Sequence, residues 1–349
     1  VSVLIYVVIL KIAKCVEYGC ILKGEGVSRK QTNKGNGFLM VAFLVMGMIW
    51  VWYCNKLYFG KTLMAVDSAS VEGARVDSML WITIAITGIV FIATHILLFW
   101  FAYRYQESDK RKVFYFPHNN KLEVLWTIVP AIVLTVLVVI GLRNWFLFTG
   151  EPPQNAMVGE VTGKQFKLLF RYPGKDGALG KKYFKNINDV DNILGLIWDD
   201  QLGHDDVVTT TTMYLVKGKA VKLIIGSRDV IHDVGLSHFR MKMDAVPGIP
   251  TTMWFTPKYT TKEMKELTNN PNFVYEISCD QMCGNAHYSM RGIVEVVDQE
   301  EYDVWMAKQK PQYLVTFPDR DPANANKPAD STKMAVKPVG APTKTVAGL

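Results

Sequence analysis

Three long apolar runs, residues 38–59, 80–103 and 122–148, constrain this chain more than any other feature. A helix needs about 20 apolar residues to cross the hydrocarbon layer of a bilayer. Backbone at that depth must satisfy its own amides, so each run is expected as a spanning helix. Trp50, Trp52, Trp81, Trp100, Trp126 and Trp145 lie mostly towards the ends of these runs, where an aromatic belt belongs. Pro130 inside the last run predicts a kink, tolerated where neighbouring helices take up the freed backbone group. A further apolar stretch at residues 1–20 is interrupted by Lys11, Lys14 and Glu17. Its positive charges follow the apolar run, whereas a secretory signal carries them before it. It is expected as a marginal membrane helix with its lysines reaching the interface.

The loops orient the runs. Lys23, Arg29, Lys30 and Lys34 precede the run at 38–59, and Arg104, Lys110, Arg111, Lys112 and Lys121 lie between the runs at 80–103 and 122–148. The loop at 60–79 mixes Lys61 and Arg75 with Asp67, Glu72 and Asp77. The bias of Lys and Arg towards the cytoplasm puts the first and third loops inside and everything after residue 150 outside. The net charge of +7 is therefore a membrane-topology signal. No basic helix interleaved with aromatics accompanies it, which argues against nucleic-acid binding. Apolar residues make up 49% of the chain and concentrate before residue 150. After it, β-rich segments recur at 165–172, 209–215, 220–225, 251–255, 273–277 and 293–297, the pattern of a small Greek-key β-sandwich or barrel.

Chemistry concentrates in Cys279-Asp280-Gln281-Met282-Cys283-Gly284-Asn285-Ala286-His287-Tyr288-Ser289-Met290. Two thiols, an imidazole and a thioether within twelve residues suit copper; zinc would accept the first three and rarely the last. A further strong ligand is sought in His232, after the β-rich Val221-Lys222-Leu223-Ile224-Ile225. Two other readings stand beside this one. Spacings of four, four and three also mark one face of a helix, with Gly284-Asn285 as a break against it. Cys279 and Cys283 could also close a short disulfide.

The loop Cys-x-x-x-Cys-Gly-x-x-His-x-x-Met, with Asp229-Val230-Ile231-His232 and Asp244-Ala245-Val246-Pro247-Gly248 upstream, resembles subunit II of cytochrome c oxidase. The segment His118-Asn119-Asn120-Lys121-Leu122-Glu123-Val124-Leu125-Trp126-Thr127-Ile128-Val129-Pro130 resembles the second membrane helix of the same family. The resemblance implies membrane helices, three to four here, followed by an all-β cupredoxin domain. It also implies a dinuclear copper centre, CuA. Cys279 and Cys283 would bridge the coppers, His232 and His287 would bind one each, Met290 would be a weak ligand, and Gln281 would give its backbone carbonyl. The function implied is acceptance of electrons from a cytochrome c-type donor. They pass to haem in subunit I, where oxygen reduction is coupled to proton pumping. The partners implied are subunits I and III, a cytochrome c or the haem c domain of a neighbouring complex, and the lipid bilayer. The location implied is a bacterial cytoplasmic membrane with the copper domain on the outer face.

Several positions depart from the family pattern. Gln281 stands where Glu usually helps to bind magnesium at the boundary with subunit I, which puts that magnesium site in question. Phe166 stands where a Trp receives the electron, and Ile249 stands where an Arg is common. Glu123 matches the carboxylate at the mouth of a proton-uptake path, and on residue grounds it also suits the start of a helix, with Asn119 or Asn120 capping. His95 within a run is expected to bond a neighbouring subunit. Asp199, Asp200, Asp205 and Asp206 read either as a solvated loop or as attraction for a basic donor. Cys15, Cys20 and Cys54 read as inert thiols. The expected organisation is a membrane extension over 1–60, a helical hairpin over 80–150, the β domain over 160–308 and an unstructured tail over 309–349.

Overall fold

The computed structural model describes residues 2–22, 24, 29–107 and 110–324. Four long helices come first: α1 (Ser2–Leu22), α2 (Arg29–Tyr58), α3 (Gly73–Arg104) and α4 (Asn120–Thr149). Among the described residues, three helical stretches are long and apolar enough to cross a membrane, Thr32–Lys61, Gly73–Arg104 and Asn120–Thr149. The first residues are helical as α1, but α1 is not among these three. α2 packs on α3 through Phe43 against Phe99 (5.7 Å between ring centres), and Phe59, in the turn just after α2, meets Trp81 (6.1 Å). α3 meets α4 where the Asn144 amide donates to Met79 Sδ at 3.8 Å. Asn119 caps α4, its side chain accepting from Leu122 N at 3.1 Å, while Glu123 accepts from Asn119 N at 3.5 Å. This reciprocal arrangement satisfies two amides that a helix start leaves without partners. Pro130 lies inside α4. His95 bonds its own helix, one ring nitrogen 2.8 Å from Phe91 O, and packs against Phe91 at 4.0 Å.

Ten strands follow: β1 (Met157–Lys164), β2 (Lys167–Tyr172), β3 (Val207–Thr209), β4 (Thr212–Val216), β5 (Val221–Ser227), β6 (His232–Leu236), β7 (Met241–Ala245), β8 (Thr251–Phe255), β9 (Tyr275–Ser278) and β10 (Arg291–Val297). They form two five-stranded sheets, in the orders β3-β2-β1-β5-β8 and β4-β10-β9-β6-β7. Four neighbouring pairs, β1–β5, β5–β8, β4–β10 and β9–β6, are not successive in the chain, and β1–β5 and β4–β10 are parallel. Inward residues such as Leu168, Phe170, Leu223, Ile225, Val234, Leu236, Phe239, Tyr275, Ile277 and Val294 are almost fully buried. This is the β-sandwich that the sequence pattern predicts, with the hydrophobic faces of both sheets turned inwards. α5 (Thr261–Leu267) is inserted between β8 and β9 and starts with a full capping box, Thr260 with Glu263. α6 (Gln299–Ala307) follows the last strand.

The chain divides into two compact units, 1–170 with 209–307, and 171–208 with 308–349. The helices and most of both sheets belong to the first. In the second, α7 (Gln312–Thr316) and the helical turns Pro318–Arg320 and Pro322–Asn324 correct the expectation of an unstructured tail from residue 309. The reason is aromatic packing that composition hides. His204 stacks on Tyr313 at 3.9 Å, and Trp198 meets Phe317 edge-on at 5.6 Å. Residues 325–349 lie outside the described residues. The acidic run is also structural here. Asp206 is fully buried against the Arg171 guanidinium at 2.9 Å and accepts from Gly180 N at 3.1 Å. Asp205 accepts from Lys175 N, and Asp200 from Lys181 N.

Candidate metal centre

His232 begins β6, Cys279 follows β9, and Met290 immediately precedes β10. β6 and β10 both pair with β9, so the second sheet gathers these residues at one place. The stretch between β9 and β10 is a loop with a single helical turn at His287–Ser289, which rules out the helix-face reading. Gly284 sits at φ +137, a conformation that side chains rarely adopt. A Cβ there would also come within 2.9 Å of Gln165 Nε2 and of Phe166 Cε1.

Donor atoms converge. Cys279 Sγ lies 3.8 Å from Cys283 Sγ, 3.9 Å from His232 Nδ1 and 3.2 Å from Gln281 O. Cys283 Sγ lies 3.6 Å from His287 Nδ1 and 3.7 Å from Met290 Sδ. Ligands about 2.0–2.3 Å from one metal, at tetrahedral or trigonal angles, lie about 3.3–4.0 Å apart, so the sulfur–sulfur and sulfur–imidazole pairs can each share an ion. The sulfurs are well beyond the disulfide length of about 2.05 Å, so the short-staple reading does not describe this arrangement. Each thiol touches a different imidazole, and the two thiols touch each other. His232, Cys279 and Cys283 form a buried group whose donor atoms could hold a metal ion, with His287 and Met290 beside it. His232, Cys279, Cys283 and Met290 are between 0% and 6% exposed. Burial, with Cys279 beside it, pushes the Cys283 thiol up to about 11. A metal bound there must displace the thiol proton.

A supporting layer surrounds the donors. His232 Nε2 meets Asp229 Oδ1 at 2.6 Å, which turns Nδ1 towards the sulfurs. Asp229 also accepts from Gln165 N at 2.8 Å and Val230 N at 2.8 Å, and these contacts hold its carboxyl below the usual carboxylate range against the cost of burial. The Gln165 amide donates to Cys283 O. β1 crosses the imidazole at Gly163, where a Cβ would come within 2.6 Å of His232 Cδ2. Asp229, Gln165 and Gly163 are the residues that sequence reasoning missed. Asp229 carried a weak signal, three positions before a candidate ligand; the other two are defined only by the fold. Asp233, next to His232, is fully buried opposite Asp244, and burial foremost pushes its carboxyl up to about 7.

The expected residues thus divide. His232, Cys279, Gln281, Cys283, His287 and Met290 come together. Phe166 lies against the loop at Gly284. Glu123 is separate, at the start of α4.

Residues 65–143 match the model of the transmembrane domain of cytochrome c oxidase subunit II, and residues 199–297 match the periplasmic domain of the same subunit. The alternative cytochrome c oxidase subunit 2 of Bradyrhizobium diazoefficiens is 35% identical over 236 residues, covering 67% of this chain and 80% of that relative. Cytochrome c oxidase subunit 2 of Cereibacter sphaeroides is 25% identical over 251 residues, 70% of this chain and 78% of the relative. Among solved structures, the periplasmic domain of subunit II of cytochrome oxidase from Bradyrhizobium japonicum matches 46% of this chain and 98% of its own, at 22% identity and a TM-score of 0.32.

Proposed function

The chain belongs to the cytochrome c oxidase subunit II family, and on that premise we propose that His232 and the loop from Cys279 to Met290 form its dinuclear copper centre. The subunit accepts electrons for a haem–copper oxidase, an oxidoreductase in which this chain is one part. When bound, the copper pair supplies a one-electron carrier whose unpaired electron is spread over both ions. Cys279 and Cys283, with His232 Nδ1 and His287 Nδ1, would hold the copper pair, and Met290 and the Gln281 carbonyl would be its weaker donors. Asp229 keeps the proton of His232 on Nε2 and leaves Nδ1 for metal, the usual role of a carboxylate behind a ligating imidazole. Burial of His232, Cys279, Cys283 and Met290 excludes water and limits rearrangement, which favours rapid electron exchange. The observation that carries this reading is the continuous chain of donor contacts from His232 Nδ1 through both sulfurs to His287 Nδ1. The buried Met290 thioether favours copper over zinc, and so over a zinc store.

The finer assignments follow from the family. The donor is a cytochrome c-type protein, Phe166 receives its electron beside Gly284, and the acceptor is haem in subunit I, with subunit III in the same assembly. Glu123 marks the mouth of a proton path on the inner side. The membrane is the bacterial cytoplasmic membrane, with the copper domain outside. Magnesium has no role in this reading, since Gln281 offers an exposed neutral amide where a hard dication prefers a carboxylate. The test is Cys283→Ser in the intact oxidase. Loss of bound copper together with donor-driven oxygen uptake is expected; normal respiration without copper would overturn the assignment.

A further inference from the structure

Arg240 ends the turn that joins β6 to β7, and its backbone is left-handed, φ +59. That conformation disfavours a side chain and suits glycine. All three guanidinium nitrogens are nevertheless engaged. Nε donates to Asp77 Oδ1 at 2.8 Å, Nη2 to Leu63 O and Val66 O at 2.8 Å each, and Nη1 to Ser237 O at 3.1 Å. Asp77 stands near the start of spanning helix α3, and Leu63 and Val66 lie in the strap that joins α2 to α3. The Arg240 and Asp77 side chains are 9% and 18% exposed.

The strap is tied to the same turn by further bonds, Ser70 Oγ to Phe239 O at 2.6 Å and Ala69 N to His238 O at 2.8 Å. It is tied to the other sheet as well: Thr256 N donates to Glu72 at 2.7 Å and Lys258 N to Ala69 O at 2.8 Å. The clasp grips the turn that follows one end of β6, and His232 stands at the other end of that five-residue strand, which rises about 3.3 Å per residue.

We propose that Arg240 is a positioning residue for electron transfer out of the metal centre: it locks the β6–β7 hairpin to the α2–α3 strap and to Asp77, and so fixes where His232 stands relative to the membrane anchor. The inference rests on the electron-transfer reading above. Electron tunnelling falls steeply with distance, so a hairpin free to shift slows delivery even when the metal site itself is intact. An arginine serves here because a planar, permanently charged fork can reach a carboxylate and two carbonyls together.

The test uses the assembled oxidase carrying Arg240→Gly, which relieves the left-handed backbone while deleting the clasp. Copper content and the copper spectrum are expected to match wild type, while reduction of the partner's haem by the reduced copper site, followed after rapid mixing, slows several-fold. Electron arrival from the donor should not change. Arg240→Lys, which keeps the charge but cannot reach all three acceptors, should restore part of the rate. Haem reduction at the wild-type rate with full copper would overturn the proposal. Loss of the copper spectrum in both variants would also overturn it, placing Arg240 in the integrity of the site rather than in its position. If Arg240→Gly fails to assemble, Asp77→Asn carries the test: a slowed rate with intact copper supports the clasp, and an unchanged rate overturns it. A wild-type protein without copper would instead sink the underlying functional reading.

Discussion

The imidazole of His232 is fixed from two sides, by Asp229 at Nε2 and by Gly163 packed over the ring. Each contact gives a prediction. Asp229→Ala should lower copper affinity by about 10–100-fold, as loss of such supporting carboxylates typically does, read by titration against a competing chelator. Unchanged affinity would mean that sulfur alone sets the ring. Gly163→Ala forces a methyl into a fully buried ring, an overpacking that costs about 1–3 kcal/mol. The expected result is reduced copper retention with the β domain still folded by circular dichroism, and full retention would contradict the packing account. Legibility at this scale depended on sequence distance. The four candidate metal-binding side chains from Cys279 to Met290 share one loop and are read directly from their spacing. His232, 47 residues before Cys279, was reached through the strand–turn pattern and the family motif. Gly163 and Gln165 could not be read, because strand pairing alone brings them to the site.

At the scale of elements, the three apolar runs and the strands with β-branched alternation were legible. β1 and β6 were not. β1 carries two glycines and Glu160, β6 is His-Asp-Val-Gly-Leu, and both are buried on successive residues, so no polar–apolar alternation marks them. The excursion between β2 and β3 was misread for a related reason: a charged run looks solvated until Arg171 is seen to pair with Asp206 inside it. Burial, opposed by Arg171, pushes the Asp206 carboxyl up to about 6 from its ordinary 3.8. A carboxyl raised on folding favours the folded state while protonated. Its contribution is complete below pH 3.8 and is lost as pH rises through about 6. The stability of wild type relative to Asp206→Asn should therefore fall by at most about 3 kcal/mol between about pH 4 and about pH 7, a shift of about two units at 1.36 kcal/mol each. Denaturant midpoints of the detergent-solubilised protein across that range check it, and a pH-independent difference would contradict it.

Taken whole, the molecule is a membrane anchor carrying a β-sandwich whose strand order brings His232 to the Cys279–Met290 loop. The family transmembrane match starts at residue 65 and excludes α2, yet α2 packs on α3 through Phe43 and Phe99, and Phe59 just after it meets Trp81. The 60–79 loop shows the same dependence on context. Its mixed charges placed it outside by the distribution of Lys and Arg, and its Asp67, Glu72 and Asp77 all bond to the β domain. That pairing of an external loop with an external domain agrees with the charge-based orientation. The central claim is that Cys279 and Cys283 bridge two coppers, and electron paramagnetic resonance of the purified oxidase, with metal content measured on the same sample, tests it most directly. The account predicts two coppers per chain in this site and the spectrum of one unpaired electron shared equally between them. A single-copper spectrum, or zinc with no signal at all, would contradict it.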